Sequence, residues 1–195
     1  ENQFKALTET AGLLDLSNRS RLCLMGDDRI KFLHGQVTND INGLEENSGC
    51  YAALVNAKGK MESDMFVYRL EEELLLDFEP NLKEAVQLRL EKFIITEDVE
   101  VVDVTPHFGL LSIQGPKAAK VLETLKLPAP RENYTLAKTA EEIHVINQPR
   151  LDTVGFDFFV PVNALDKWKS RLVEHVPLCD EAAFERARIL VTIPR

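Results

Sequence analysis

The spacing of hydrophobic positions changes repeatedly along the 195-residue chain, and each change predicts an element. SRLCLM (20–25) has the short, mostly apolar make-up of a strand. Gly26 breaks it, and Asp27 or Asp28 can cap a helix. Ile30, Phe32, Leu33 and Val37 then recur at three- and four-residue steps, which places His34 on that helix. Residues 50–70 alternate around the break Lys58-Gly59-Lys60 and predict a hairpin, and LLLDF (74–78) predicts a further strand. Pro80 suits the first turn of a helix carrying Leu82, Val86, Leu90 and Phe93, after which VEVVDV (99–104) returns as a strand. EIHVINQ (142–148) and VGFDFFVP (154–161) make a second predicted hairpin around Pro149 and Asp152. A helix over 163–175 follows, and the end, CDEAAFERARILVTI (179–193), is read as helical. Strands that follow one another without an intervening helix favour an α+β fold over a doubly wound sheet.

A weak internal repeat runs through this pattern. LCLMGDDRIKFLHGQ and LLSIQGPKAAKVLET each read strand, glycine, amphipathic helix, with Gly26 matching Gly115, Phe32 matching Val121 and Leu33 matching Leu122. Two such units fit a chain whose length allows one sizeable core or two small ones.

Charge narrows the partners. A net charge of −9 and a pI near 5.0 exclude broad contact with nucleic-acid phosphates, which needs a basic stripe. Cys23, Cys50 and Cys179 lie far apart, and the four histidines stand at no ligand spacing, so neither a metal site nor a disulfide framework is expected. A reducing cytoplasm is the expected setting, without membrane span or signal peptide. No phosphate loop, HExxH or GxSxG pattern is present. The polar cluster HGQVTND (34–40) reads as structural: Thr38, Asn39 and Asp40 are expected to close the helix by satisfying free backbone groups. Asp64 stands apart, because it follows the hairpin turn and precedes the apolar Met65, Phe66 and Val67. An acid at the edge of an apolar strand can bind an N–H-rich ring.

Taken in order, GLLDLSNRSRLCLMGDDRIKFLHGQVTNDINGL, NAKGKMESDMFVYRL and FGLLSIQGPKAAKVLETL resemble the folate-binding aminomethyltransferase-like superfamily. That superfamily includes the T-protein of the glycine cleavage system and the YgfZ-type proteins linked to iron–sulfur cluster maintenance. The resemblance covers roughly residues 12–125 and continues more loosely through VGFDFFVPV and ERARILVTIP. It implies two ferredoxin-like α+β subdomains, the first discontinuous (1–48 and 106–195) and interrupted by the second (49–105), with a C-terminal β-barrel domain expected outside this chain. It implies tetrahydrofolate, or a one-carbon-substituted folate, in a central cavity. The cofactor-binding positions would be Asp64, Tyr51, Tyr68, Asp77 and Arg188, with Asp64 catalytic only in a transferase.

Departures from the T-protein pattern are equally specific. Its R-T-G-Y-T-G-E-D-G-F-E stretch is here R-L-D-T-V-G-F-D (Arg150–Asp157), with Thr153 near the place of the pterin-holding glutamate. Its His-Met is here Asn18 and Arg19, and its folate-facing asparagine is here Asp77. These changes favour a YgfZ-type accessory protein, partnered by folate and by iron–sulfur proteins. That type's K-G-C-Y-x-G-Q-E hallmark would fall past residue 195. A folate-dependent aminomethyltransferase is the alternative, and an interaction module that has lost its ligand is a third.

Overall fold

The internal repeat corresponds to two sheets, each in its own unit, in a computed structural model that describes residues 1–193. One unit is Arg19–Pro106. It runs β2 (Ser20–Met25), α2 (Arg29–His34), β3 (Ser48–Val55), β4 (Met61–Arg69), β5 (Leu74–Phe78), α3 (Lys83–Glu91) and β6 (Glu100–Asp103). The sheet order is β3-β4-β5-β2-β6, antiparallel throughout. Without β3, the order is that of a ferredoxin-like βαββαβ unit. Its core lies on one sheet face, where Leu22, Leu24, Met65, Val67, Leu74, Leu76 and Phe78 meet Phe32 and Leu33 of α2 and Val86 and Leu90 of α3.

The other unit joins Glu1–Asn18 to the segment from His107 onward. It contains α1 (Asn2–Glu9), β1 (Gly12–Asp15), β7 (Phe108–Gln114), α4 (Ala118–Thr124), β8 (Leu136–Lys138), β9 (His144–Asn147), β10 (Gly155–Pro161), α5 (Leu165–Val173), β11 (Leu178–Cys179) and α6 (Glu181–Leu190). A single 3-10 turn, Val162–Ala164, leads into α5. Its sheet order is β11-β1-β7-β10-β9-β8. This is again a ferredoxin-like arrangement, with β1 inserted beside β7 and β11 running parallel to β1. One face packs on α4 and α5 through Leu13, Ile113, Phe156, Phe158, Leu122, Trp168 and Leu172. Leu14 on the other face joins Leu7 of α1 and Ala183 and Ala187 of α6 in a second, smaller core.

The strands over 20–25 and 74–78 and both hairpins form where the alternation predicts them. Four details differ. The boundary between units falls at residue 18 rather than 48, because β2 pairs with β5 and β6 and carries residues 19–48 into the inserted unit. Residues 194 and 195, expected in the discontinuous unit, lie outside the described residues. Asp28 does not cap α2 through its side chain; its carboxylate accepts from the Asp98 amide at 2.9 Å and ties the helix start to the loop before β6. Phe93 lies beyond α3, 43 % exposed, beneath the Arg89 guanidinium at 3.9 Å. Cys179 belongs to β11, and the last helix starts only after Asp180, whose carboxylate caps it by accepting from the Ala183 amide at 2.8 Å.

Candidate functional site

Register decides which side chains share a face. In the unit Arg19–Pro106, Tyr51 stands opposite Phe66, Phe66 opposite Asp77, and Asp77 opposite Arg21. The next row is Gly49, Tyr68, Leu75 and Cys23. Directly opposed residues of antiparallel strands project to the same side, so both rows lie on the face away from α2, α3 and the core. Asp64, two residues before Phe66, shares that face by the period-two rule. Four of the five expected site residues, Tyr51, Asp64, Tyr68 and Asp77, are thus brought onto one sheet face by strand pairing alone. The fifth, Arg188, lies on α6 of the other unit, its guanidinium donating to both Glu185 oxygens (3.0 and 2.6 Å) and to the Ile193 carbonyl.

The acids on this face have contrasting environments. Asp77 is fully buried, and Arg19 Nε donates to both its oxygens at 2.9 and 3.1 Å while Arg19 Nη1 reaches Glu79 at 2.6 Å. Its charge is therefore balanced by a guanidinium. Asp64 is half-buried, and its Oδ2 accepts the Tyr51 hydroxyl at 2.6 Å. Among the described residues Asp64 pairs with no cation, and its Oδ1 accepts no hydrogen bond. Tyr51, 44 % exposed, tilts against Phe66 with ring centroids 5.5 Å apart, and Tyr68 is fully buried. The arrangement offers a carboxylate oxygen and aromatic surface side by side, which suits a flat ring bearing N–H donors.

Thr38 and Asn39 do not close α2 as expected. They run along β3, the sheet's outer strand: the Thr38 amide donates to the Ala53 carbonyl and the Ala53 amide to the Thr38 hydroxyl, both at 3.0 Å, and the Asn39 amide group donates to the Tyr51 carbonyl at 2.9 Å. An edge strand exposes such groups, and here residues 38 and 39 satisfy them. The Ile41 amide donates to His34 Nδ1 at 3.3 Å, a bond that ties the same loop back to its helix.

Sequence reasoning did not anticipate two buried ion pairs. One is the Arg19 clamp on Asp77. The other lies in the discontinuous unit, where Arg150 donates to Asp157 Oδ2 from Nε at 2.9 Å and from Nη2 at 2.6 Å. Beside it, Gln114 donates to Ser112 and to the Gln148 carbonyl and accepts the Arg150 amide. The available signal was a lone acid in an otherwise apolar strand, LLLDF and GFDFF, because a buried carboxylate requires a partner.

Thiol chemistry is not favoured. Burial pushes the Cys50 and Cys179 thiols up to about 11 and raises Cys23 as well, so none is a ready thiolate. Among the described residues no three metal-binding side chains converge, and no helix is long and apolar enough to cross a membrane.

Comparison with known proteins bears on the family and the fold. Residues 1–148 match the family model described as the GCVT N-terminal domain. An aminomethyltransferase of Exiguobacterium sibiricum is 27% identical over an alignment that covers 100% of this chain and 56% of the relative. One from Shouchella clausii is 32% identical over 64% of this chain and 34% of the relative. The chain thus spans about half or less of the length of these curated relatives. The crystal structure of the glycine cleavage system aminomethyltransferase T from Bartonella henselae superposes with a TM-score of 0.89, at 22% identity, over 96% of this chain and 53% of that one. The fold is therefore that of the N-terminal part of an aminomethyltransferase T. With three quarters of its length matched by the family model, the chain belongs to the GCVT N-terminal domain family.

Proposed function

We propose that this chain is a tetrahydrofolate-binding module in which Asp64 accepts N–H groups of the folate and Tyr51 borders the ring, with Tyr68 buried behind them on the same sheet face. The observation that carries the reading is the Asp64 carboxylate: half-buried, next to aromatic side chains, and with an oxygen that accepts nothing from any described residue. Within this reading Asp77 acts through its ion pair with Arg19, as part of the wall of the site. A YgfZ-type accessory role toward iron–sulfur proteins is the finer reading. It is supported by the Arg19–Asp77–Glu79 ion cluster, which occupies the position where the T-protein pattern has a neutral asparagine. The free thiols accord with a reducing, cytoplasmic setting.

Aminomethyl transfer is the second reading, favoured by the names of the relatives. There Asp64 would stabilise charge developing on the folate nitrogens while an amine departs. Calorimetric titration with tetrahydrofolate tests what both readings share. The wild type binds, and Asp64→Ala weakens binding by about 10- to 150-fold, the cost of losing hydrogen bonds to a charged acceptor. Absence of binding by the wild type leaves an interaction module without ligand. Release of ammonia from an aminomethyl-lipoyl donor in the presence of tetrahydrofolate separates the transferase from the accessory protein.

A further inference from the structure

The Tyr51–Asp64 hydrogen bond is diagonal. Tyr51 stands opposite Phe66, and the residue opposite Asp64 is Ala53. The phenol therefore reaches one row along the sheet, past a methyl group too small to block it, to meet Asp64 Oδ2 at 2.6 Å. A hydrogen bond of that length to a carboxylate is of the charge-assisted kind. Tyr51 is 44 % exposed, and its ring tilts against Phe66.

The backbone beneath it is held from the other side. β3 is the outer strand of its sheet, and its outward-facing groups at residues 51 and 53 are the ones gripped by Thr38 and Asn39. Asn39 is itself braced, its Oδ1 accepting the Asp40 amide at 2.8 Å. A continuous chain of contacts thus runs from the loop after α2, through the Tyr51 backbone and hydroxyl, to one oxygen of Asp64. With Oδ2 engaged, rotation of the carboxylate is restricted, and Oδ1 is the oxygen that accepts nothing from a described residue. A preset acceptor spares the binding step the cost of ordering it.

We propose that the Tyr51 hydroxyl and Asn39 are positioning groups: they act on a ligand through the orientation of Asp64, with the hydroxyl as the direct contact and Asn39 as its anchor. This inference rests on Asp64 being the ligand-binding acid of the proposed function, and its test has one arm that needs no ligand. In the free protein at neutral pH, the side-chain carboxyl 13C resonance of Asp64, assigned by its loss in Asp64→Asn, moves in Tyr51→Phe and moves less, in the same direction, in Asn39→Ala. A resonance that stays in place in Tyr51→Phe overturns the proposal.

The second arm is tetrahydrofolate affinity by calorimetry. Tyr51→Phe keeps the ring and weakens binding about fivefold, while the melting temperature is unchanged. The same substitution in an Asp64→Asn background costs nothing further. Additive losses would mean that the Tyr51 hydroxyl meets the ligand independently of Asp64 and would overturn the proposal, as would a loss of affinity in Asn39→Ala matched by a loss of stability. If the wild type binds no tetrahydrofolate, the folate reading falls and the resonance alone decides the positioning of Asp64.

Discussion

The two units solve the same local problem in the same way and then diverge on their second faces. Each turns from strand to helix through a glycine of positive φ, Gly26 at +99° and Gly115 at +132°. In each, a Cβ would collide with a backbone carbonyl, Asp98 or Thr10, which accepts the amide two residues after the glycine, that of Asp28 (3.2 Å) or Lys117 (2.8 Å). Beyond the corner the resemblance ends. The discontinuous unit covers part of its second face with its own helices α1 and α6, and its buried acid, Asp157, is neutralised by Arg150. The unit Arg19–Pro106 puts both its α-helices on one face, and on the other it carries Asp64, whose carboxylate accepts only a tyrosine hydroxyl among the described residues. The same scaffold thus covers part of its second face with helices in one unit and leaves an acid without a cationic partner among the described residues on that face in the other.

The largest effect that would test this contrast is expected from the paired acids. Asp157→Ala strands Arg150, whose side chain is 5% exposed, and should cost about 3–5 kcal/mol in urea unfolding. Asp77→Ala leaves Arg19 its bond to Glu79 and should cost less, about 1–3 kcal/mol. Equal losses would remove the distinction. Next, Gly26→Ala and Gly115→Ala should each destabilise by about 1–3 kcal/mol, and similar values would show that the corners are equivalent. Asp64→Ala should change stability by no more than about 0.5 kcal/mol, so that its effect appears in ligand binding alone; a larger loss would make Asp64 a structural residue.

The smallest effect concerns pH. Burial pushes the Asp15 and Asp103 carboxyls up, but hydrogen bonds from Lys169 and Ser17 to the first, and from Lys83 and Thr105 to the second, outweigh it and hold both below the ordinary carboxylate value. A depressed folded pKa means stability that is present at neutral pH and lost as pH falls through the folded value. Lys169→Met in one unit and Lys83→Met in the other should therefore lower the unfolding midpoint at about pH 7. That deficit should shrink as the pH falls through the folded values of the two carboxyls and they become protonated. A deficit that persists once they are protonated would assign the lysines a packing role.

Much of the fold was legible because its signals are local. Alternation and turn residues set the two hairpins, three- and four-residue spacing set α2, and the repeated strand-glycine-helix pattern marked two related units. Elements without such a signal were missed: α1, β1 and β11 are short, and β1 and β11 exist because Leu13 and Leu14 find partners in Leu178, Cys179, Ile113 and Ser112, far away in sequence. The placement of residues 19–48 was misjudged for the same reason, since only the pairing of β2 with β5 and β6 assigns it.

The site divides along the same line. Sequence by itself determined that an acid would stand at the edge of an apolar strand and that polar residues would follow α2, because residue type and spacing are written in the chain. Tertiary structure alone decided that Thr38 and Asn39 grip an edge strand rather than close a helix, that Arg19 neutralises Asp77, and that Tyr51 reaches past Ala53 to Asp64. Those outcomes depend on strand register, and a shift of one residue would send the Tyr51, Asp64 and Asp77 side chains to the opposite face.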